Sequence, residues 1–459
     1  MAKNLRKFSS TEEYENYKAT DGWDYPSVCF VETSFENQIY YNNEFIMRWN
    51  DNDTVPVPTF SGSISLADFK EWVDNASCPC EIGKDGQNFH YLLLTNYEKT
   101  ASDYTGTTLL GDSHYKTEDK ADYLQMTEIE NVNVGLFKDS KKGIKEVRFN
   151  FDKGCPKGFH KWFAHPYWNE ERGCYTKLIG RYNTTPAGTN TSATAAGINC
   201  AFGLSQGGSN ANNYTLGNWN ANLLLAATKA TMAEDSGCTL LQETYWEHVV
   251  LSYIFSAYYE TFNHQSIFYG HATDYNTAEN PNSPTGAGAG AGLNGHTDSL
   301  LMPHGSIVSN PSTTNGGYRF MHIENAIHGQ QWIWGAGCRE KVTSTEGTYY
   351  MTYDDIVANK ITILAFDDAD VIGKFAAGRS VDSKFISKID LLAMPTEVNG
   401  TSSTGFCDAI WASLGGTDKI AYVGGYSNIG SSYGGFARRF TFDATDSYWN
   451  LRGRVTMNR

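Results

Sequence analysis

Apolar and polar residues alternate most regularly in the middle of the first half of the chain. Val132, Val134 and Leu136 alternate with polar residues, and Val147, Phe149 and Phe151 do the same after a Lys141-Lys142-Gly143 turn. A period of two residues is that of a β-strand with one buried face. The pattern therefore predicts a β-hairpin.

Two other stretches have helical spacing. Ser65 to Val73 begins with a capping residue and places Leu66, Phe69 and Trp72-Val73 on one face, which predicts a short amphipathic helix. The strongest helix is predicted from Leu240 to about Thr261. Within it, Glu243, Glu247 and His248 are interpreted as capping and solvated charges, since no acid–base partner is evident.

Further strands are predicted from short apolar runs between turn residues. These runs are Tyr91–Leu94, Tyr318–Asn325, Gln331–Trp334, Ile361–Phe366 and Ile420–Val423. Near the N-terminus, a helix opening at Ser10 and a strand pair at Ser27–Val31 and Gln38–Tyr41 suggest a small unit that needs a partner to bury a core.

The polar stretch from Asn50 to Pro58 is the clearest predicted linker. We expect three units: a virion-anchoring or oligomerisation unit at 1–48, an intermediate α+β or β domain at 49–144, and a C-terminal domain at 145–459 with long loop insertions. Abundant Gly, Tyr and Phe favour many short strands. The expected class is therefore α+β and strand-rich.

The chain carries 36 Lys and Arg against 51 Asp and Glu, a net charge of −15. An acidic balance without basic runs argues against nucleic-acid partners and anionic membranes. No apolar run approaches a membrane span, and no secretion signal is visible. The nine scattered cysteines are expected to be reduced thiols, as in a protein made in a cytosol.

Candidate reactive groups are few. His160, His165 and Glu170 are possible metal ligands that are more typical of a structural role, and Asp367–Asp370 is either a calcium site or a solvated loop. Gly286–Gly292 lacks the Lys-Ser/Thr of a phosphate-binding loop. No nucleophile, base or carboxylate pair can be placed, so we expect no enzymatic activity.

The last forty residues have the composition of a binding surface. Tyr and Trp provide large rigid contact areas, and Ser, Asn and Gly provide adaptable hydrogen bonds. The alternative is a Gly-rich hairpin whose aromatic residues pack inward. The candidate binding residues are Tyr426, Asn428, Ser431, Ser432, Tyr433, Tyr448, Trp449 and Asn450.

Three segments, in this order, resemble the formylglycine-generating-enzyme type of C-type lectin domain. Gln242–Glu247 resembles its "PTEAEWE" helix, Ile323–Trp334 its "GNVWEW" strand, and Tyr422–Arg454 its closing "RGGSW … GFR" segment. The resemblance spans about residues 145–459 and implies a lectin-like fold there. The closing segment has no cysteine, so the catalytic thiol of that family has no counterpart.

The non-catalytic variant found in phage tail and fibre proteins fits better, because a "HIEN … W" segment (from His322) is common there. By that resemblance, the eight residues given above form a receptor-contacting surface. The N-terminal unit is similar to leader segments of virion proteins of crAss-like gut phages. This similarity implies virion anchoring through Val28, Phe30, Ile39, Tyr40 and Tyr41.

The resulting hypothesis is a bacteriophage fibre or spike protein, found in virions assembled in the host cytoplasm. Its partners would be copies of itself in a homotrimer, other virion proteins through the N-terminus, and a bacterial surface glycan or protein through the C-terminus. No cofactor is expected, although the lectin-like fold leaves Ca²⁺ binding open. The alternative is a purely structural head, collar or tail decoration protein.

Overall fold

A computed structural model describes slightly more than half of the chain. The described residues are 6–8, 29–32, 41–83, 85–93, 107–108, 111–112, 123–163, 165–181, 236–267, 303–306, 318–324, 326–327, 331–340, 347–350, 371–375, 380–413, 419–424, 434–440 and 454–459. Within these ranges there are two α-helices, α1 (Leu66–Asn75) and α2 (Tyr245–Tyr258), a 3₁₀ turn at His264–Ser266, and many short strands. The protein is therefore a strand-rich α+β protein, as predicted.

The strands of the first part of the chain are β1 Arg6–Phe8, β2 Cys29–Glu32, β3 Glu44–Asn50, β4 Thr59–Gly62, β5 Ser77–Gly83, β6 Phe89–Leu93, β7 Thr107–Thr108, β8 Gly111–Asp112, β9 Tyr123–Glu130, β10 Asn133–Asp139, β11 Ile144–Asn150, β12 His160–Lys161, β13 Tyr167–Asn169 and β14 Cys174–Gly180. Those of the second part are β15 Thr239–Gln242, β16 Gly305–Ser306, β17 Tyr318–Phe320, β18 Ile323–Glu324, β19 Gln331–Glu340, β20 Gly347–Tyr350, β21 Val371–Phe375, β22 Ser380–Phe385, β23 Lys388–Ile389, β24 Pro395–Glu397, β25 Ala409–Ser413, β26 Lys419–Val423, β27 Arg438–Phe440 and β28 Val455–Asn458.

The first sheet has the order β1-β2-β10-β11-β3-β4, with β12 also paired to β10. The predicted hairpin is its centre: β10 and β11 are antiparallel, and the register pairs Leu136 with Val147. Their inward residues, including Val134 and Phe149, are buried in the main core. The N-terminal strand β2 joins the edge of β10 in parallel.

This sheet crosses the predicted domain boundaries. Strand β3 pairs along its whole length with β11, so residues from either side of positions 48 and 144 belong to one sheet. The stretch 50–58, predicted as a linker, instead connects the antiparallel strands β3 and β4 as a hairpin loop. The Thr54 carbonyl in that loop accepts a hydrogen bond from the Gly405 amide, 2.8 Å away.

Helix α1 confirms the prediction made from Ser65. The Ser65 hydroxyl accepts a hydrogen bond from the Asp68 amide, and the Asp68 carboxylate accepts one from the Ser65 amide. This reciprocal capping satisfies two of the amides that a helix start leaves free. Phe69 and Val73 are the buried residues of the helix, and the Phe69 ring stacks on Phe45 of the first sheet at 4.0 Å.

The second sheet has the order β15-β28-β14-β9-β5-β6-β7-β8, with β13 beside β14. The C-terminal strand β28 thus lies inside the sheet, between β14 and β15. Val455 and Met457 are fully buried there with Leu124, Met126 and Leu178. The last residues of the chain are therefore part of the framework.

Helix α2 lies in the middle of the main core. It begins at Tyr245, later than the predicted Leu240, because residues 239–242 pair with β28 as a strand. Thr244 and Glu247 form a capping box. All residues from Tyr245 to Ala257 are buried, so the helix is covered on every side.

The remaining described strands form three further sheets. Strands β16, β17 and β18 form one sheet, β23 and β24 a second, and the third has the order β21-β20-β19-β26-β27-β25-β22. The predicted strand at Ile420–Val423 is confirmed. The stretch Tyr318–Asn325, predicted as one strand, instead contains two short antiparallel strands, β17 and β18, because Met321 and His322 between them have positive φ values and form a turn. The predicted strand Ile361–Phe366 and the predicted N-terminal helix lie outside the described residues.

Candidate functional site

The eight residues predicted to contact a receptor fall in two stretches, 425–433 and 441–453, which we call the first and second segments. All eight lie outside the described residues. The structure does describe the residues that flank each segment. These flanking residues are buried and hydrogen bonded to buried side chains.

The first segment connects two neighbouring strands. Strand β26 ends at Val423, and β27 begins at Arg438. The two strands are antiparallel, with Val423 opposite Arg438. Gly424 has a φ of +69°, a conformation that glycine adopts without steric cost. Val423 and Phe440 are fully buried, so both strands are fixed in the core.

Residues Gly434–Phe436, which follow the first segment, are held by two side chains that we call the clamp, Asp408 and His264. One Asp408 oxygen accepts the Gly434 amide at 2.6 Å, and the other accepts the Phe436 amide at 2.9 Å. The Gly435 amide donates to His264 Nδ1 at 3.0 Å. Three consecutive amides thus have side-chain acceptors, and Asp408 and His264 are both fully buried.

The double glycine is required because the clamp comes so close. A Cβ on Gly435 would lie 2.8 Å from Ser252 Oγ and 2.9 Å from His264 Nδ1. We therefore expect Gly435→Ala to lower the free energy of unfolding by about 1–3 kcal/mol through overpacking. Urea denaturation measures the loss. Gly154→Ala is the control, because nothing lies within 4 Å of a Cβ there, and an equal loss in both variants would contradict the explanation.

A Ser–His pair occurs in this network, and its protonation excludes nucleophilic activation. Because His264 Nδ1 accepts the Gly435 amide, its Nε2 carries the ring hydrogen and donates it to Ser256 Oγ, 2.7 Å away. Ser256 Oγ in turn donates to the Ser252 carbonyl at 2.8 Å. A serine activated by a base would need the opposite direction of donation. The pair is structural.

Arg438 links the start of β27 to helix α2. Its Nε donates to the Tyr245 hydroxyl at 2.9 Å, and its Nη1 donates to the Gly435 carbonyl at 2.7 Å. The Tyr245 hydroxyl donates to the Leu392 carbonyl at 2.9 Å. Burial raises the pKa of Tyr245 to about 12, so it remains a neutral donor.

Arg454, the first described residue after the second segment, contacts the same helix start. The Glu243 amide donates to the Arg454 carbonyl at 2.8 Å, and Arg454 Nη1 donates to the Gly180 carbonyl at 2.8 Å. The Glu243 carboxylate lies 3.7 Å from Arg454 Nε and 3.9 Å from His248 Nδ1. Burial raises the pKa of Glu243 to about 8, although Arg454 acts to lower it.

These contacts correct one sequence interpretation and confirm another. Glu247 is the capping residue of α2, as proposed. Glu243 and His248 are not solvated, because each is at least 99% buried. Tyr245 in the first turn of α2 and Glu243 just before the helix thus contact Arg438 and Arg454, which lie on either side of the second segment in sequence.

The predicted virion-anchoring residues are described in part. Val28, Ile39 and Tyr40 lie outside the described residues. Phe30 lies in β2, paired with Lys7 of β1. The Tyr41 hydroxyl donates to the Lys157 carbonyl at 3.2 Å, and its ring packs edge-on against Phe159.

Potential metal ligands do not converge in the part of the chain that the structure describes. No group of three His, Cys, Asp or Glu residues there is placed to hold an ion. His160 is buried and has its ring edge-on to Trp246, while Asp367–Asp370 lies outside the described residues.

A second polar cluster was not anticipated from the sequence. The buried Glu128 carboxylate accepts hydrogen bonds from Tyr91, Tyr167, Asn169 and Thr176. Together with Glu128 these residues come from four strands, β6, β9, β13 and β14, which are distant in sequence. Because their hydrogen bonds converge on one buried carboxylate, the cluster links these four strands.

Comparison with known proteins adds no family assignment: no family model matches the chain, and no curated protein matches it. Among the described helices, none is long and apolar enough to cross a membrane.

Proposed function

We propose that this protein is a bacteriophage virion fibre or spike protein that binds a bacterial surface glycan or protein through its first and second segments. One observation carries the proposal: segments with the composition of a paratope are flanked by buried backbone whose amides bond to buried side chains. A binding loop whose ends are fixed by a rigid scaffold loses less conformational entropy on binding than a loop with unconstrained ends.

Within the strand-rich α+β class, we propose that the C-terminal part of the chain is a C-type lectin-like domain. The packing of the three stretches that carry the resemblance supports this proposal. Glu243 and Tyr245 contact Arg454 and Arg438 of the closing segment. Ile323 and Ile327 of the middle stretch lie in the same hydrophobic core as Tyr245 of the first and Phe436 of the third. The three stretches therefore share one core.

The proposed activity is binding without catalysis. The titratable side chains around the two segments are buried and engaged in structural contacts, as the direction of the His264 hydrogen bond illustrates. We further propose that the N-terminal strands contact other virion proteins and that the protein acts as a homotrimer. Closed symmetric assemblies are the common form of such proteins.

The decisive test is adsorption of the purified protein to a panel of gut bacterial cells. Tyr433→Ala and Trp449→Ala are each expected to weaken binding about 30-fold or more, because buried aromatic anchors contribute at least about 2 kcal/mol. The unfolding midpoint of each variant should match that of the parent.

Truncation of the chain before the two segments is an unsuitable control, because it would also remove the framework strands β26, β27 and β28, which all follow residue 418. Val57→Ala is a better one, because this side chain is exposed in the loop between β3 and β4, and the variant should adsorb normally. Adsorption unchanged by both segment substitutions would overturn the proposal. If the parent protein adsorbs to no cell but assembles onto particles, the protein is a structural decoration protein instead.

A further inference from the structure

Two aromatic side chains form a pair on one face of the hairpin made by β13 and β14. Trp168 and Tyr175 are opposite each other in the antiparallel register, and their rings meet edge to face with centroids 5.1 Å apart. The residues on either side of Trp168, Tyr167 and Asn169, bond to Glu128. Because successive side chains of a strand point to opposite faces, the aromatic pair lies on the face away from the Glu128 cluster.

This face is partly accessible to solvent. Trp168 and Tyr175 are both half-buried, and neither belongs to the main core or to the core of the second sheet. Within the part of the chain that the structure describes, Trp168 Nε1 and the Tyr175 hydroxyl form no hydrogen bond. Rigid rings that present polar groups without protein partners at an accessible surface are typical of a site for a ligand that is partly apolar and partly polar.

Two lysines add positive charge to the aromatic pair. Lys161 Nζ lies 3.9 Å from the centroid of the Tyr175 ring, and Lys153 Nζ lies 5.1 Å from that of the Trp168 ring. Lys153 is exposed and Lys161 is half-buried. Their long side chains can therefore bring ammonium groups to a ligand that lies on the rings. We call these four residues the aromatic–lysine site.

We propose that the aromatic–lysine site binds an acidic oligosaccharide. The C–H groups of a sugar ring carry partial positive charge and match the negative face of an aromatic ring. A carboxylate on the sugar would pair with a lysine ammonium group, and a sugar hydroxyl would accept a hydrogen bond from Trp168 Nε1. The site shares no residue with the first and second segments, so the proposal does not depend on the function proposed for them.

The charge around the site decides between an acidic sugar and a nucleic acid. A nucleic acid carries a negative charge on every nucleotide and is bound by proteins that neutralise many phosphates. The aromatic–lysine site offers two cations, beside the exposed carboxylates Glu170 and Glu171 and on a chain with a net charge of −15. This balance suits a short ligand with few negative charges.

Isothermal titration calorimetry of the full chain tests the proposal with two acidic probes, trigalacturonate and sialyllactose. The matched neutral probes are the methyl ester of trigalacturonate and lactose, which keep the sugar rings without the carboxylates. We expect at least one acidic probe to bind, and its neutral counterpart to bind about threefold or more weakly, because exposed ion pairs contribute modestly.

Trp168→Ala is expected to weaken this binding at least about tenfold, because aromatic anchors carry much of the energy of a contact. Trp411→Ala is the matched control, since Trp411 is also half-buried and lies 4.6 Å from the Arg439 guanidinium, but in another sheet. Lys153→Gln should weaken binding about threefold, and it carries the test if Trp168→Ala does not fold. Its control is Lys141→Gln, at an exposed lysine in the β10–β11 turn.

Four results would overturn the proposal. The first is that neither acidic probe binds, and the second is that acidic and neutral probes bind equally, which would leave the lysines without a role. The third is equal weakening in Trp168→Ala and Trp411→Ala, or in Lys153→Gln and Lys141→Gln. The fourth is tighter binding of single-stranded oligothymidylate that is lost in Trp168→Ala, which would make this a nucleic-acid site.

Discussion

Deletion of residues 454–459 is expected to abolish cooperative folding. Strand β28 pairs on one side with β14 and on the other with β15, so its loss breaks the second sheet in two. Val455 and Met457 are fully buried, and burying side chains of this size contributes about 1.5–3 kcal/mol each. Arg454, which bonds to Gly180, is removed as well.

The consequence extends beyond this sheet. Without β28, β15 has no partner among the described strands, and β15 leads directly into the capped start of α2. Since a protein of this size is stabilised by only about 5–15 kcal/mol, the summed loss is expected to remove the native state.

Circular dichroism with urea denaturation measures this prediction. Deletion of Arg459 alone is the control, because that residue is exposed and contributes to no strand. The control should retain a cooperative transition. A cooperative transition with an unchanged midpoint in the longer deletion would contradict the central role of β28.

Local patterns predicted the local elements well. The alternation at Val134 and Leu136 identified the hairpin, and Ser65 identified the start of α1, because both signals depend only on neighbours in sequence. The capping role of Glu247 was predicted for the same reason. Helix α2 was predicted too long, since its N-terminal residues are recruited as a strand by β28, some two hundred residues away.

The candidate site depends on contacts that sequence spacing does not encode. Asp408 and Gly434 are 26 residues apart, and His264 and Gly435 are 171 apart. The Gly434-Gly435 pair indicates that other atoms come close to the backbone there, but the sequence does not show which side chains these atoms belong to. Glu243 was expected to be solvated because carboxylates usually are. Glu243 is buried instead, because it directly precedes α2, which lies in the middle of the main core.

The buried ionisable groups make stability depend on pH, with a direction that can be derived. Burial raises the pKa of Glu243 to about 8 and those of Glu44 and Asp408 to about 7. Above pH 4.5 the unfolded chain has lost these protons while the folded chain retains them. Each group therefore lowers stability as the pH rises from about 4.5 to its folded pKa, by up to about 1.4 kcal/mol per pH unit.

Buried basic groups act in the opposite direction, most strongly His304 and Lys177. Burial lowers the pKa of His304 to about 4 and that of Lys177 to about 8. The unfolded chain then binds more protons than the folded chain, between about pH 4 and 6.5 for His304 and between about pH 8 and 10.5 for Lys177. Both contributions increase stability as pH rises through those ranges. Between pH 6.5 and 8 neither opposes the carboxyl groups.

We therefore expect the free energy of unfolding to fall by about 3 kcal/mol between pH 6.5 and pH 8, with Glu243 as the main contributor. Glu243→Gln imitates the neutral carboxyl and should flatten this part of the profile, becoming progressively more stable relative to the parent as the pH rises. Urea denaturation at half-unit pH intervals measures both profiles.

Glu71→Gln, a substitution at an exposed position of α1, is the control. It should leave the slope of the stability profile unchanged. Parallel profiles for the parent and Glu243→Gln would show that Glu243 is already ionised beside Arg454 below pH 6.5. In that case the contact between α2 and the end of the second segment would be an ion pair, and Glu243→Gln should instead destabilise the protein equally at every pH in this range.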